Sequence, residues 1–146
     1  MIQGYPEEPT ISVVIPTCDR PGLLAEAVDS VVGQTLPPVQ IVVVDNGNEP
    51  VSLAPVDADT RVDVIRGFPR MGVAQARNIG AILSIGSHVA FLDDDDAWDA
   101  YYLERVCDTF RTTGADIVLG GRRAMESGML IEAKSRPIDD QHWISA

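Results

Sequence analysis

The sequence predicts an α/β fold in which a mostly parallel sheet is flanked by helices. Short β-branched runs bounded by turn residues alternate with stretches whose apolar residues recur at helical spacing. The polar clusters fall just after the apolar runs, at the strand ends where ligand sites of parallel sheets gather. With 146 residues, 45% of them hydrophobic, the chain is sized for one compact domain with a real core.

Taken in order, Ile11 to Ile15 is a β-branched run stopped by Pro16, as a buried parallel strand would be. The stretch Thr17 to Gly22 turns the chain. From Gly22 to Gly33, Leu24, Ala27, Val28 and Val31 share one helical face, with Pro21 near the first turn. Ile41 to Val44 reads as a second buried strand ending at Asp45-Asn46-Gly47, and Val62 to Ile65 as a third. Gly72 to Gly86 carries Val73, Ala76, Ile79, Gly80 and Leu83 along one helical stripe. His88 to Leu92 is another apolar strand, and it runs into four consecutive aspartates. Asp99 to Thr113 repeats the helical pattern through Tyr102, Leu103, Val106 and Phe110, and Ala115 to Leu119 predicts a further strand. Beyond Gly121 the pattern weakens.

Composition narrows the function. The net charge of −11 repels nucleic acid and anionic membrane surfaces, so no nucleic-acid partner is expected. The apolar runs are too short for a transmembrane segment, and Met1 to Pro9 is polar and acidic, unlike a signal peptide; a soluble, cytoplasmic protein is expected. Cys18 and Cys107 lie in no CxxC or Cys/His cluster and read as free thiols. No GxGxxG follows the first strand, which disfavours a dinucleotide-dependent oxidoreductase.

Asp93 to Asp96 is the most informative feature. Carboxylates crowded after a buried strand repel one another unless a cation, solvent or protonation relieves the field. A hard divalent ion such as Mg2+ or Mn2+ does so, and it is commonly held by one or two carboxylates together with phosphate oxygens. Asp93 and Asp95 have the D-x-D spacing for that task. The competing reading is a helix cap near Trp98, for which four aspartates are excessive. Asp45-Asn46-Gly47 offers hydrogen-bonding side chains and a glycine permitting close approach, although such a tripeptide alone is an ordinary turn. Arg77 could meet a phosphate or orient an acidic loop residue; pairing with a surface carboxylate is the alternative, and it applies more to Arg70.

The ordered set of Ile11-Ser-Val-Val-Ile-Pro-Thr-Cys-Asp-Arg20, Gln34-Thr35, Val42-Val-Val-Asp-Asn-Gly47, Gly72-Val-Ala-Gln-Ala-Arg-Asn78 and Phe91-Leu-Asp-Asp-Asp-Asp96 resembles the family 2 glycosyltransferases of GT-A (nucleotide-diphospho-sugar transferase) fold. The likeness covers residues 10 to 120. It implies that Pro16, Thr17, Cys18 and Asp19, with Asp45 and Asn46, hold the base and ribose of a UDP- or dTDP-linked sugar. It places Arg77, Asp93 and Asp94 at the same donor site and gives the divalent metal to Asp93 and Asp95. Two departures stand out: Cys18 occupies a position often aromatic in the family, and Asn46 one often aspartate.

The implied reaction is inverting attack of an acceptor hydroxyl, on a carbohydrate, lipid or small molecule, at the donor's anomeric carbon, usually aided by a carboxylate base. Roughly fifty residues follow Asp96, and nothing marks Asp139 or Asp140 as that base, so none is named. The tail Gln141-His142-Trp143 has the wrong spacing for a processive-synthase motif. Residues 1–146 are therefore expected to form one donor-binding domain that ends before an acceptor site is complete. The alternative to a sugar transferase is a non-catalytic nucleotide-sugar-binding or interaction module of the same fold.

Overall fold

The computed structural model describes residues 8–53 and 62–121, together with the backbone of two strands at 124–126 and 129–131. The chain forms two compact units, Met1–Asp116 and Ile117–Ala146.

The first unit contains β1 (Ile11–Thr17), α1 (Pro21–Val32), β2 (Gln40–Asp45), β3 (Val62–Arg66), α2 (Val73–Leu83), β4 (His88–Phe91) and α3 (Tyr102–Thr113). Its four strands form one parallel sheet in the order β3-β2-β1-β4. Every residue of β1 and β2 is buried, which is why both read as near-continuous apolar runs rather than alternating ones.

Alternate residues point to opposite faces of the pleat, and two cores result. Val13, Ile15, Ile41 and Val43 pack with Leu24, Ala27, Val28 and Val31 of α1 and with Leu103 and Cys107 of α3. Val14, Val42 and Val44 pack with Ala76 of α2 on the other side. Each valine, leucine or isoleucine among them, taken fully out of water, stabilises the unit by about 1.5–3 kcal/mol. Helix α2 lies close to the sheet at Gly80, where a Cβ would come within 2.2 Å of Val14 Cγ1.

The chain steps outward from β1 through β2 to β3, then returns across the sheet by α2 to place β4 on the far side of β1. That reversal opens a crevice at the carboxyl ends of β1 and β4, the usual ligand position in such sheets.

Several boundaries differ from the sequence expectations. Helix α2 ends at Leu83 because Ser84 is extended (ψ 136°), and α3 begins at Tyr102 because Asp99 first forms a turn, accepting from the N–H of Tyr101 at 3.0 Å. The strand expected over Ala115 to Leu119 is not formed: these residues join no ladder, and Ile117 is 77% exposed. An apolar, β-branched segment makes a strand only where a partner edge accepts its hydrogen bonds. In the second unit β5 (Ala124–Glu126) and β6 (Met129–Ile131) instead pair as an antiparallel ladder, beyond the point where the sequence pattern weakens. No helix among the described residues is long and apolar enough to cross a membrane.

Candidate functional site

Three strand ends meet at the crevice: Thr17 of β1, Asp45 of β2, and the acidic turn that follows β4. The first two loops are stitched together. Thr17 O accepts from Asn46 N at 2.9 Å, and the Cys18 thiol lies 3.6 Å from Asn46 O. Asp19 sits in the left-handed region (φ 55°) and accepts from the backbone and side-chain nitrogens of Asn48 at 2.7 and 2.6 Å. Such a conformation suits aspartate better than most residues. Gly47 permits this approach, since a Cβ there would meet Asp19 Oδ1 at 2.6 Å.

Asp45 is 2% exposed, and both its oxygens are engaged. Oδ1 accepts from Gly47 N at 2.9 Å; Oδ2 accepts from Val51 N at 2.8 Å and from Arg66 Nη1 at 2.6 Å. Burial alone would push its pKa up, yet the Gly47 and Val51 N–H groups and the Arg66 guanidinium outweigh it and hold the carboxyl below its ordinary value. Arg66 also donates to the carbonyls of Gly47, Asn48 and Glu49 at 2.7, 2.9 and 3.0 Å, so one side chain closes the whole β2 loop. The sequence reading missed Arg66, because its partners lie 17 to 21 residues away with no local signature.

In the acidic turn, Asp96 N donates to Asp93 O at 3.0 Å. Asp94 points inward and is 1% exposed; its Oδ2 accepts from Thr17 Oγ1 at 2.7 Å. Arg20 spans the turn, with Nη2 2.7 Å from Asp94 Oδ1 and Nη1 3.1 Å from Asp95 Oδ2. The contact to Asp94 Oδ1 is off hydrogen-bond angle, so that oxygen gains charge compensation without a directed bond. Arg77, reaching over from α2, donates to Asp93 Oδ1 at 2.5 Å. Its Nε is buried with no hydrogen-bond partner among the described residues. Arg70 is largely exposed and approaches Asp19 only to 4.0 Å, in keeping with a surface pairing.

Carboxylate oxygens of Asp93, Asp95 and Asp96 lie within 4.8 Å of one another. An all-oxygen set this compact fits a hard divalent cation. Asp96 was not among the expected metal ligands; the only available signal was its place in the run. Behind the turn, Gln34 fixes the approach to α3: Nε2 donates to Ser30 O and Asp99 O at 2.9 and 2.8 Å, and Oε1 accepts from Leu103 N at 2.9 Å. The structure thus gathers all the expected site residues, Pro16, Thr17, Cys18, Asp19, Asp45, Asn46, Arg77, Asp93, Asp94 and Asp95, at the carboxyl ends of β1, β2 and β4 or on the helix beside them. Asp139, Asp140 and Gln141 to Trp143 lie outside the described residues.

The sequence profile described as Glycosyl transferase family 2 matches residues 12–141. Glycosyltransferase GlyG of Streptococcus pneumoniae is 32% identical over 114 residues, which span 75% of this chain and 38% of that protein. Succinoglycan biosynthesis protein ExoM of Rhizobium meliloti is 35% identical over 121 residues, 78% of this chain and 39% of that protein. Among solved structures, S. aureus TarS 1-349 in complex with UDP-GlcNAc superposes with a TM-score of 0.63 at 20% identity, over 81% of this chain and 37% of TarS 1-349. The fold is GT-A. The chain spans less than two-fifths of the length of these relatives.

Proposed function

The chain belongs to glycosyl transferase family 2, and we propose that it holds a UDP- or dTDP-linked sugar donor across the carboxyl ends of β1, β2 and β4. Base and ribose lie against the stitched loops of Pro16 to Asp19 and Asp45-Asn46. The diphosphate lies toward the acidic turn, where Asp93 and Asp95 hold Mn2+ or Mg2+. The observation that carries this reading is the compact oxygen set of Asp93, Asp95 and Asp96 beside Arg77, whose buried Nε has no hydrogen-bond partner among the described residues. When bound, the metal supplies Lewis-acid stabilisation of the departing diphosphate.

The chain's own residues prepare that site. Thr17 fixes Asp94, and with it the turn, against the end of β1. Arg77 orients Asp93 and brings positive charge to an acidic cleft that would otherwise repel an anionic donor. Transfer to an acceptor hydroxyl is the reaction proposed for the protein, with no base assigned among the described residues. A non-catalytic module would bind donor with metal and show neither transfer nor hydrolysis.

Calorimetric titration of UDP and dTDP with Mn2+, with Mg2+ and with chelator tests the reading. Metal-dependent binding that Asp95→Ala abolishes is the expected result. A folded wild-type chain that binds neither nucleotide under any condition refutes it.

A further inference from the structure

Arg20 has no role in the donor site outlined above, yet it is the cation closest to the acidic turn from the β1 side. Its two amino groups face unlike carboxylates. Asp94 is 1% exposed and already bonded to Thr17, so the Nη2 contact is a buried charge pairing that ties the guanidinium to the base of the turn. Asp95 is 52% exposed, so the Nη1 contact is a surface ion pair of small net value. Asp95 also supplies one of the oxygens grouped for a cation. A divalent ion there competes with Nη1 for the same carboxylate, and the competition costs little because the pair is exposed.

Resting on the donor-site reading, we propose that Arg20 is a diphosphate-recognition residue held in reserve on Asp95. When metal takes Asp95, the Nη1 arm is released while Nη2 stays on Asp94. The freed donor then meets the terminal phosphate of the nucleoside diphosphate. The planar guanidinium suits both tasks, since its fork can engage two anions at once where an ammonium offers one point of charge. Arg20 thereby makes the chain prefer a diphosphate over a monophosphate, and it screens the carboxylates in the metal-free state.

The test uses the full 146-residue chain and three titrations on wild type, Arg20→Ala and Arg20→Lys: Mn2+ alone, UDP with saturating Mn2+, and UMP with saturating Mn2+. Thermal melting of each variant confirms that it is folded at the titration temperature. In Arg20→Ala, UDP affinity is expected to fall about tenfold, as for loss of one charge-assisted contact, with UMP affinity within about twofold. Mn2+ alone should bind Arg20→Ala at least as tightly as wild type, because a competing cation has gone. Arg20→Lys should lie between wild type and Arg20→Ala for UDP, and it carries the test if the alanine variant does not fold. Equal weakening of UDP and UMP, no weakening of either, or weaker Mn2+ binding in Arg20→Ala overturns the proposal while leaving the donor site standing. A wild-type chain that binds neither nucleotide removes the donor site and the role of Arg20 together.

Discussion

Replacing Arg66 with methionine removes the charge facing Asp45 while keeping most of the side chain's volume. Taking away one partner of a buried ion pair costs about 3–5 kcal/mol when the other is left without compensation. Arg66 is 36% exposed, and Asp45 keeps the N–H groups of Gly47 and Val51, so compensation is partial. These offsets bring the expected loss to about 2 kcal/mol. For a unit of this size that lowers the melting temperature by about 6–10 °C. Three carbonyl oxygens, of Gly47, Asn48 and Glu49, also lose their donor, so the loop should loosen and UDP binding with Mn2+ weaken at temperatures where the protein is folded. Urea denaturation of Arg66→Met, Asp45→Asn and the double variant isolates the pairwise energy. A coupling below about 0.5 kcal/mol, or an Arg66→Met melting point within about 2 °C of wild type, refutes the assignment of Arg66 as the clamp of this loop.

Two further outcomes follow from the ionisable groups. Asp45 titrates below its ordinary value in the folded chain, so its stabilising contribution is fully present above pH 3.8 and is lost as pH falls through the lowered folded value. Urea midpoints followed from about pH 5 downward should show an acid limb that is shallower in Asp45→Asn; an unchanged limb contradicts the result. Cys107 is buried, and burial together with the neighbouring acids Asp108 and Glu8 pushes its thiol pKa up against the opposing pull of Arg111. Iodoacetamide should therefore label Cys18 first and Cys107 only on unfolding, and UDP with Mn2+ should protect Cys18. Labelling of Cys18 at the same rate with and without nucleotide argues against its place beside the base.

Much of the fold was legible because its signals are local. The run at Ile11 is apolar but for the buried Ser12, and the run at Ile41 is apolar throughout, since both faces of β1 and β2 are covered; Leu24, Ala27, Val28 and Val31 mark the buried stripe of α1. The failures share a cause. Ala115 to Leu119 has strand composition without a ladder partner, and the β5–β6 pair forms from segments with no persuasive pattern, because pairing is decided by what lies opposite and not by the segment itself.

The site divides in the same way. Strand-end loops and the aspartate run announce themselves in sequence. Two of the arginines that organise them do not: Arg20 meets Asp95 across 75 residues and Arg66 meets Asp45 across 21, whereas Arg77 stands in a motif that the sequence shows. The inward orientation of Asp94, between neighbours open to solvent, follows from Thr17 on the adjacent strand and could not be read from four identical letters.

Gly80 has no chemistry of its own, and a glycine inside a helix costs about 1 kcal/mol relative to alanine. Its contact with Val14 sets the height of α2 above the sheet, and Arg77 stands one turn earlier on the same helix. A larger residue at 80 would lift that helix and carry the guanidinium away from Asp93. In a mutagenesis screen scored only by ligand binding, such a variant would be indistinguishable from one that had lost a charged ligand, although every charged side chain was intact. Neutral drift in the acidic turn is therefore constrained from beneath, by a position that no search for polar or ionisable residues would flag.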